Sequence, residues 1–200
     1  MYEIEQKAHV SNRKQVIEAL NTFAEYDGKA DKRDIYYHLP LTGHTSSDNT
    51  GYVSCRIRYE KHETGNAVQN NIFFTYKRKE QRTGTGKVPI EVNDEKECIL
   101  SDSSALEALL TDAGFTVART KHKITEGWYA STEAGKAHIE LCTVPPLGDF
   151  LEIEIMSKTE NEKSVTSAGK CIEELFSRCS IPRSAVESRY YNEMLAAPGT

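Results

Sequence analysis

Charged side chains recur two residues apart in segment after segment of this sequence, with apolar residues between them. Tyr2–Lys7 reads YEIEQK, which sets Glu3, Glu5 and Lys7 on one side of an extended chain and Ile4 on the other. Side chains alternate across a strand, so each such segment has one charged and one apolar face. The pattern returns as Arg56 and Arg58 opposite Cys55, Ile57 and Tyr59, and as Lys77 and Lys79 beside Thr75. Glu91, Asn93, Glu95 and Glu97 then stand opposite Ile90 and Val92, and Arg119, Lys121 and Lys123 follow. His138, Glu140 and Cys142 oppose Ile139 and Leu141, and Glu152 and Glu154 oppose Leu151, Ile153 and Ile155.

A half-exposed antiparallel sheet gives this alternation in any one strand. Two features of the whole set argue against a merely wet face. Like charges repeat as Arg-x-Arg, Lys-x-Lys and Arg-x-Lys-x-Lys, and like charges side by side repel unless an anion lies between them. Segments of helical spacing also carry apolar stripes that need a partner. The first covers Asn12–Tyr26, with Val16, Leu20, Phe23 and Ala24 on one side, Ser11 as N-cap and Asp27-Gly28 as its stop. A second opens on a capping box, Ser104 to Glu107, and ends at Gly114. Glu160–Cys179 is a third, and Ser184–Leu195, with a capping box from Ser184 to Glu187, a fourth. Helices packed on the apolar faces would turn the charged faces inward.

The strand-like segments are Glu3–Val10, Asp34–Leu39, Tyr52–Tyr59, Ile72–Lys79, Pro89–Ile99, Phe115–Ile124, Trp128–Ser131, Ala137–Thr143 and Phe150–Met156. Thr42–Gly51 reads as a polar loop and Gln81–Lys87 as a turn. Many short strands and few helices predict an α+β antiparallel barrel or sandwich with helices outside. One domain over residues 1–195 accounts for the pattern, with 196–200 as a loose tail.

The net charge of −5 gives the surface no general attraction for a nucleic acid polymer or an anionic membrane. No apolar run is long enough to span a bilayer, and strand-like sequence starts at Tyr2 with no leader before it. Five cysteines without a C-x-x-C indicate neither a disulfide framework nor a zinc site, and a reducing cytoplasm is the expected location.

An enclosed space lined by Lys, Arg and a few Glu suits a polyphosphate. Carboxylates cannot hold phosphate, but they can hold a hard divalent cation whose shell phosphate oxygens complete. Other motifs carry less. Gly84-Thr85-Gly86-Lys87 lacks phosphate-loop spacing, since Gln81 and Val88 stand where Gly and Ser or Thr belong, so it reads as a hairpin turn. The six histidines show no metal spacing, and His138 is expected to make a hydrogen bond in the lumen. Cys142 has no paired histidine base and reads as a tolerated small residue rather than a nucleophile. Trp128 and Tyr129 are expected on the barrel exterior, and Glu95 and Glu97 at a solvated edge.

The motifs also occur in a familiar order. Glu3-Ile4-Glu5-Gln6-Lys7 resembles the E-x-E-x-K signature of the CYTH family, the triphosphate tunnel metalloenzymes. Asp34-Ile35-Tyr36-Tyr37 is similar to its D-x-Y-[FY], Cys55-Arg56-Ile57-Arg58 to its L-R-I-R, and Thr75-Tyr76-Lys77 to its T-x-K. Gly114-Phe115 with Lys121-His122-Lys123 resembles G-F followed by K-x-R, and Leu147–Glu154 resembles L-G-x-F-x-E-x-E. The resemblance implies a closed antiparallel barrel forming a tunnel. It implies Mg²⁺ or Mn²⁺ held by Glu3, Glu5 and Glu152, with Glu140 and Glu154 as further carboxylates. It implies a triphosphate held by Lys7, Arg56, Arg58, Lys77, Arg119, Lys121 and Lys123, with Glu3, Glu5, Lys7 and Glu152 as the catalytic set. The substrate would be a nucleoside triphosphate, thiamine triphosphate or inorganic triphosphate, and a homodimer is allowed for. The implied activities are triphosphate hydrolysis, or adenylyl cyclase chemistry giving cyclic AMP and pyrophosphate. Three departures stand out: Cys142 at the family's second-sheet metal aspartate, Asn93 where an Arg often begins the acidic strand, and Lys123 for Arg. A thiol is a poor Mg²⁺ ligand, so the alternative expectation is a non-catalytic nucleotide- or polyphosphate-binding module.

Overall fold

The computed structural model describes residues 2–40, 52–83 and 89–196, and within these the side chains of 52, 77–83, 89 and 192 lie outside the description. The expected loop Thr42–Gly51, the Gly84–Lys87 motif and all of the expected tail but Ala196 therefore lie outside the described residues. The elements run β1 (Tyr2–His9), α1 (Arg13–Leu20), β2 (Glu25–Pro40), β3 (Tyr52–Thr64), β4 (Ala67–Thr83), β5 (Pro89–Leu100), α2 (Ser104–Asp112), β6 (Thr116–Thr132), β7 (Gly135–Val144), β8 (Gly148–Ser157), α3 (Glu162–Arg178), a 3-10 turn at Arg183–Ala185, β9 (Val186–Glu187) and α4 (Tyr191–Ala196).

The strands form one antiparallel sheet in the order β5-β4-β3-β2-β6-β7-β8-β1, and β5 pairs back onto β1 to close it. This is the closed barrel, with helices outside. Closure removes the exposed edges an open sheet would carry. At the closing seam β5 covers only residues Tyr2 to Glu5 of β1. Continued in the same register, Ile90 would face Gln6 and Pro89 would face Lys7, and Pro89 has no N–H to donate. The remaining edge of β1, at Lys7 and Ala8, is taken by β9.

Apolar side chains leave the barrel outward, as the alternation requires. Ile4 and Ala8 of β1, Ile90 and Val92 of β5, Trp128 of β6, Ile139 and Leu141 of β7, and Leu151, Ile153 and Ile155 of β8 pack with α1 and α3 in one core. α3 approaches so closely that a Cβ on Gly169 would lie 3.0 Å from Ile90 Cδ1. A smaller cluster joins Tyr37, Cys55 and Ile57 to Leu110 of α2.

Several boundaries differ from those expected. α1 ends at Leu20 rather than Tyr26, because Glu25 already pairs with β6. Its cap is Asn12, whose side chain accepts from the Gln15 amide, rather than Ser11. Gly28 does not stop a helix but sits within β2 at a register shift, with φ of +143°. Ser103 holds the N-cap position of α2 without a side-chain capping bond, and Glu107 accepts from the hydroxyls of Ser103 and Tyr59 instead of closing a capping box. The segments Phe115–Ile124 and Trp128–Ser131 are one continuous strand. The expected helix Ser184–Leu195 is replaced by the 3-10 turn, β9 and the short α4, since pairing with the open edge of β1 outweighs local helical spacing. Among the described residues, no helix is long and apolar enough to cross a membrane.

Candidate functional site

Interior faces from all eight barrel strands converge inside the barrel. In β1 the side chains opposite Ile4 and Ala8 are Glu3, Glu5 and Lys7, and register sets Glu5 beside Glu154 and Lys7 beside Glu152. In β2 they are Lys32, Asp34 and Tyr36; in β3, Arg56 and Arg58; in β6, Arg119, Lys121 and Lys123; in β7, His138 and Glu140.

At one level the chain gathers carboxylates. Glu3, Glu5 and Glu154 each offer an oxygen, and these lie within 4.8 Å of one another. Asn93 donates to Glu3 Oε2 at 3.3 Å, and its own Oδ1 is buried without a hydrogen-bond partner. His138 Nδ1 lies 3.1 Å from Glu154 Oε1. Burial alone would lower the His138 pKa, but Glu154 outweighs it and the imidazole holds its proton more firmly than usual.

Glu152 lies elsewhere than expected. Lys123 Nζ donates to Glu152 at 2.6 Å and to Glu140 at 2.7 Å, and Glu140 also binds Lys32. Burial would raise the Glu140 carboxyl, yet Lys123 and Lys32 hold it well below the usual range. Burial would likewise lower Lys123, and Glu140 and Glu152 hold it well above. The structure thus groups Glu154, rather than Glu152 or Glu140, with Glu3 and Glu5.

A third cluster is organised by Asp34, whose side chain is fully buried. Arg58 binds it through two nitrogens at 2.7 and 3.1 Å, Lys121 lies at 3.2 Å, Arg56 at 3.9 Å, and the Tyr36 hydroxyl donates at 3.3 Å. Burial works against the charge of Asp34, but Arg58, Lys121 and Arg56 outweigh it and keep the carboxyl well below its usual range. Arg56 reaches Thr75 Oγ1 at 3.0 Å, and Thr75 donates to Glu97 at 2.7 Å. Glu97 is exposed, as expected of a solvated edge, and accepts the Thr75 hydroxyl there. Lys7 pairs with Glu91 at 2.7 Å. Arg119 is half-buried on the same face as Lys121. The side chain of Lys77 lies outside the described residues.

Cys142 is sealed at one end of this interior. It packs with Val144, Phe150 and Met194, hydrogen-bonds to the Phe150 carbonyl and Tyr191 hydroxyl at 3.5 Å each, and burial raises its thiol to about 12. Register aligns it with Phe150, four residues before Glu154 on β8, or about 13 Å along a strand. Trp128 packs outside as expected and donates to Asn21 at 2.9 Å. Tyr129 cannot join it, because neighbours on a strand face opposite ways; it packs on His138 with ring centroids 4.9 Å apart.

Among the described residues, two clefts open onto the interior. One cleft, of about 580 Å³, lies among Lys7, Lys121, Lys123, Tyr36, Tyr190 and Tyr191. Another, of about 630 Å³, lies among Lys32, Glu60, His62, Tyr129, His138 and Glu140. Tyr190 and Tyr191 were missed in the sequence because they sat inside an expected helix. Asp34 was quoted as part of a motif but given no role. Its signal is a lone carboxylate at strand spacing between Lys32 and Tyr36.

A CYTH domain model matches residues 1–191. The chain belongs to the CYTH domain family. The fold agrees with solved structures over nearly its whole length. The PH1819 protein of Pyrococcus horikoshii OT3 superposes with a TM-score of 0.74 at 25% identity, covering 96% of this chain and 97% of that one. A candidate adenylate cyclase from Vibrio parahaemolyticus gives 0.71 at 15% identity, covering 98% and 99%. HpAC1 from Hippeastrum, a candidate adenylyl cyclase with a dominant triphosphatase activity, gives 0.58 at 12% identity, covering 96% and 93%. No protein of curated function matches this CYTH chain significantly in sequence.

Proposed function

We propose that this CYTH barrel is a divalent-metal-dependent enzyme acting on a triphosphate-bearing substrate. The observation that carries the reading is the meeting of two unlike clusters in one closed interior: the Glu3, Glu5 and Glu154 trio and the cations gathered about Asp34. The likeness to HpAC1, with its triphosphatase activity, supports the same class of substrate.

The charge balance favours a metal. Three carboxylates within 4.8 Å repel one another, and the buried Asn93 Oδ1 offers a further oxygen beside them. This is an all-oxygen donor set of the kind hard cations take, so Mg²⁺ or Mn²⁺ would be held by Glu3, Glu5 and Glu154. Bound there, the metal supplies Lewis-acid polarisation of phosphoryl oxygens. Lys7, Arg56, Arg58, Lys121 and Lys123 hold the phosphate chain by exchanging carboxylate partners for phosphate oxygens. Arginine does so bidentately and lysine as a point charge. Glu140 and Glu152 keep Lys123 charged and aimed inward. The barrel wall restricts water to what the site admits.

Attack by water on a phosphorus makes the enzyme a triphosphatase. Attack by the ribose 3′-hydroxyl of ATP makes it a cyclase that releases pyrophosphate. Incubation with Mg²⁺ or Mn²⁺ and a panel of ATP, thiamine triphosphate and tripolyphosphate, followed by product identification, separates these. Turnover of none of them, together with an unchanged melting midpoint in millimolar tripolyphosphate, would refute the reading. The binding-module alternative gains nothing from the geometry, because Cys142 lies in an apolar cluster away from the carboxylate trio.

A further inference from the structure

Asn93 is a fully buried neighbour of the carboxylate trio. It stands on the interior face of β5, in register with Glu3 of β1 across the seam that closes the barrel. Its Nδ2 donates to Glu3 Oε2 at 3.3 Å, and among the described residues its Oδ1 meets no hydrogen-bond donor. A buried amide oxygen left so carries the cost of an unmade bond. The trio lacks positive charge and the Asn93 oxygen lacks a partner, and one divalent cation supplies both.

The distances suit a single ion. Oxygens around Mg²⁺ at about 2.1 Å stand about 3.0 Å apart as neighbours and about 4.2 Å apart across the ion. The three carboxylate oxygens already lie within 4.8 Å of one another, and Asn93 Nδ2 stands 3.3 Å from Glu3 Oε2. That is nearly the spacing of neighbouring ligands, with the nitrogen of the amide rather than its oxygen facing Glu3. A half-turn about Cβ–Cγ exchanges Nδ2 for Oδ1 without moving the backbone, and this torsion is soft and roughly two-fold. No hydrogen-bond donor reaches the place that the N–H₂ group would then take.

Resting on the metal-dependent reading above, we propose that Asn93 is a fourth protein ligand of the divalent cation and that its amide turns over when the ion binds. In the empty site Nδ2 holds Glu3 and eases the repulsion within the trio. In the loaded site Oδ1 faces the ion, which takes over that task. His138 differs, because its Nδ1 is engaged with Glu154 at 3.1 Å and steadies a ligand without becoming one. Asn93 lies outside the carboxylate set that the family resemblance implies, and the Arg often found at its place could not bind a cation. Four protein oxygens leave about two positions on Mg²⁺ or Mn²⁺ for water or phosphate oxygens, so the ion is held before any substrate arrives.

The test uses the full chain and Mn²⁺ alone, without substrate. Affinity is read by titration calorimetry, and water on the ion by the broadening of its electron paramagnetic resonance lines in ¹⁷O-enriched water. Asn93→Ala should weaken Mn²⁺ binding about tenfold and show one more bound water than wild type. Asn93→Asp, which keeps an oxygen at the site, should keep the wild-type water count. A loss of less than about threefold in Asn93→Ala would overturn the ligand, as would an unchanged water count there or an extra water in Asn93→Asp; the metal-dependent reading survives all three. Failure of wild type to bind Mn²⁺, or equal binding by Glu5→Gln, would overturn that reading and the ligand with it. Should Asn93→Ala fail to fold, wild type decides. The side-chain amide nitrogen of Asn93 should move downfield on addition of Mg²⁺, because coordination through oxygen draws electron density from it, and a resonance that stays in place would overturn the proposal.

Discussion

Asp34 shows what a single residue does in this interior. A lone carboxylate with no exposed surface holds two arginines and a lysine that would otherwise repel one another. Removing one member of a buried ionic group leaves the rest uncompensated, and such losses run to about 3–5 kcal/mol. Asp34→Ala should lower stability by that order in urea denaturation, and tripolyphosphate should stabilise the variant more than it stabilises wild type, since a phosphate can replace the lost anion. The pH dependence follows from the depressed carboxyl. Its contribution is complete above the ordinary value of 3.8 and is lost as pH falls through the lower folded-state value. The stability gap between wild type and Asp34→Asn should therefore be constant from neutrality to about pH 5 and should close below about pH 4; a gap that widens in acid would contradict this. At this scale the sequence is a good guide to which side chains face inward, because strand alternation is local. It does not say which charge meets which. Glu154 joins Glu3 and Glu5, and Glu152 joins Lys123, because of inter-strand register, and register depends on pairing between distant segments.

Elements were legible where one face repeats and obscure where tertiary pairing overrides local preference. β1, β5, β7, β8 and α3 stand close to their expected bounds, whereas β3 runs on to Thr64 and β4 spans Ala67–Thr83. β2 departs further: Glu25–Gly28 reads as the end of a helix and its stop, although Glu25 already pairs with β6, and β3 joins from Lys29. Gly28 makes that possible. Its φ of +143° disfavours any side chain, and a Cβ there would lie 2.4 Å from the Glu63 carbonyl oxygen. Gly28→Ala should therefore destabilise the protein by about 1–3 kcal/mol, with the loss of protection in hydrogen exchange concentrated in residues 25–32 and their partners on β3. Normal stability in that variant would mean that this end of β2 contributes little to the fold. β9 is the second case. Val186 and Glu187 carry no strand pattern of their own, and only the gap left at Pro89 gives them a partner.

The whole molecule sets a problem that no element shows alone. Closing the barrel confines many charges of both signs. Most are matched: Lys123 with Glu140 and Glu152, Lys7 with Glu91, Arg58 and Lys121 with Asp34. The Glu3, Glu5 and Glu154 trio crowds three carboxylates together. Like charges so enclosed oppose folding, and a cation that binds only the folded barrel removes the repulsion while adding its own binding energy. A metal at a hundred times its dissociation constant stabilises by about 2.7 kcal/mol. Mn²⁺ or Mg²⁺ should thus raise the melting midpoint without any substrate, and chelation should reverse the gain. Glu3→Gln, Glu5→Gln and Glu154→Gln should each lose most of the metal-induced shift. Glu152→Gln should melt lower in chelator because Lys123 loses a partner, yet keep the shift. If the shift vanishes in Glu152→Gln and survives in Glu154→Gln, the metal belongs with Glu152 as the motif order alone implied, and the assignment drawn from register is wrong.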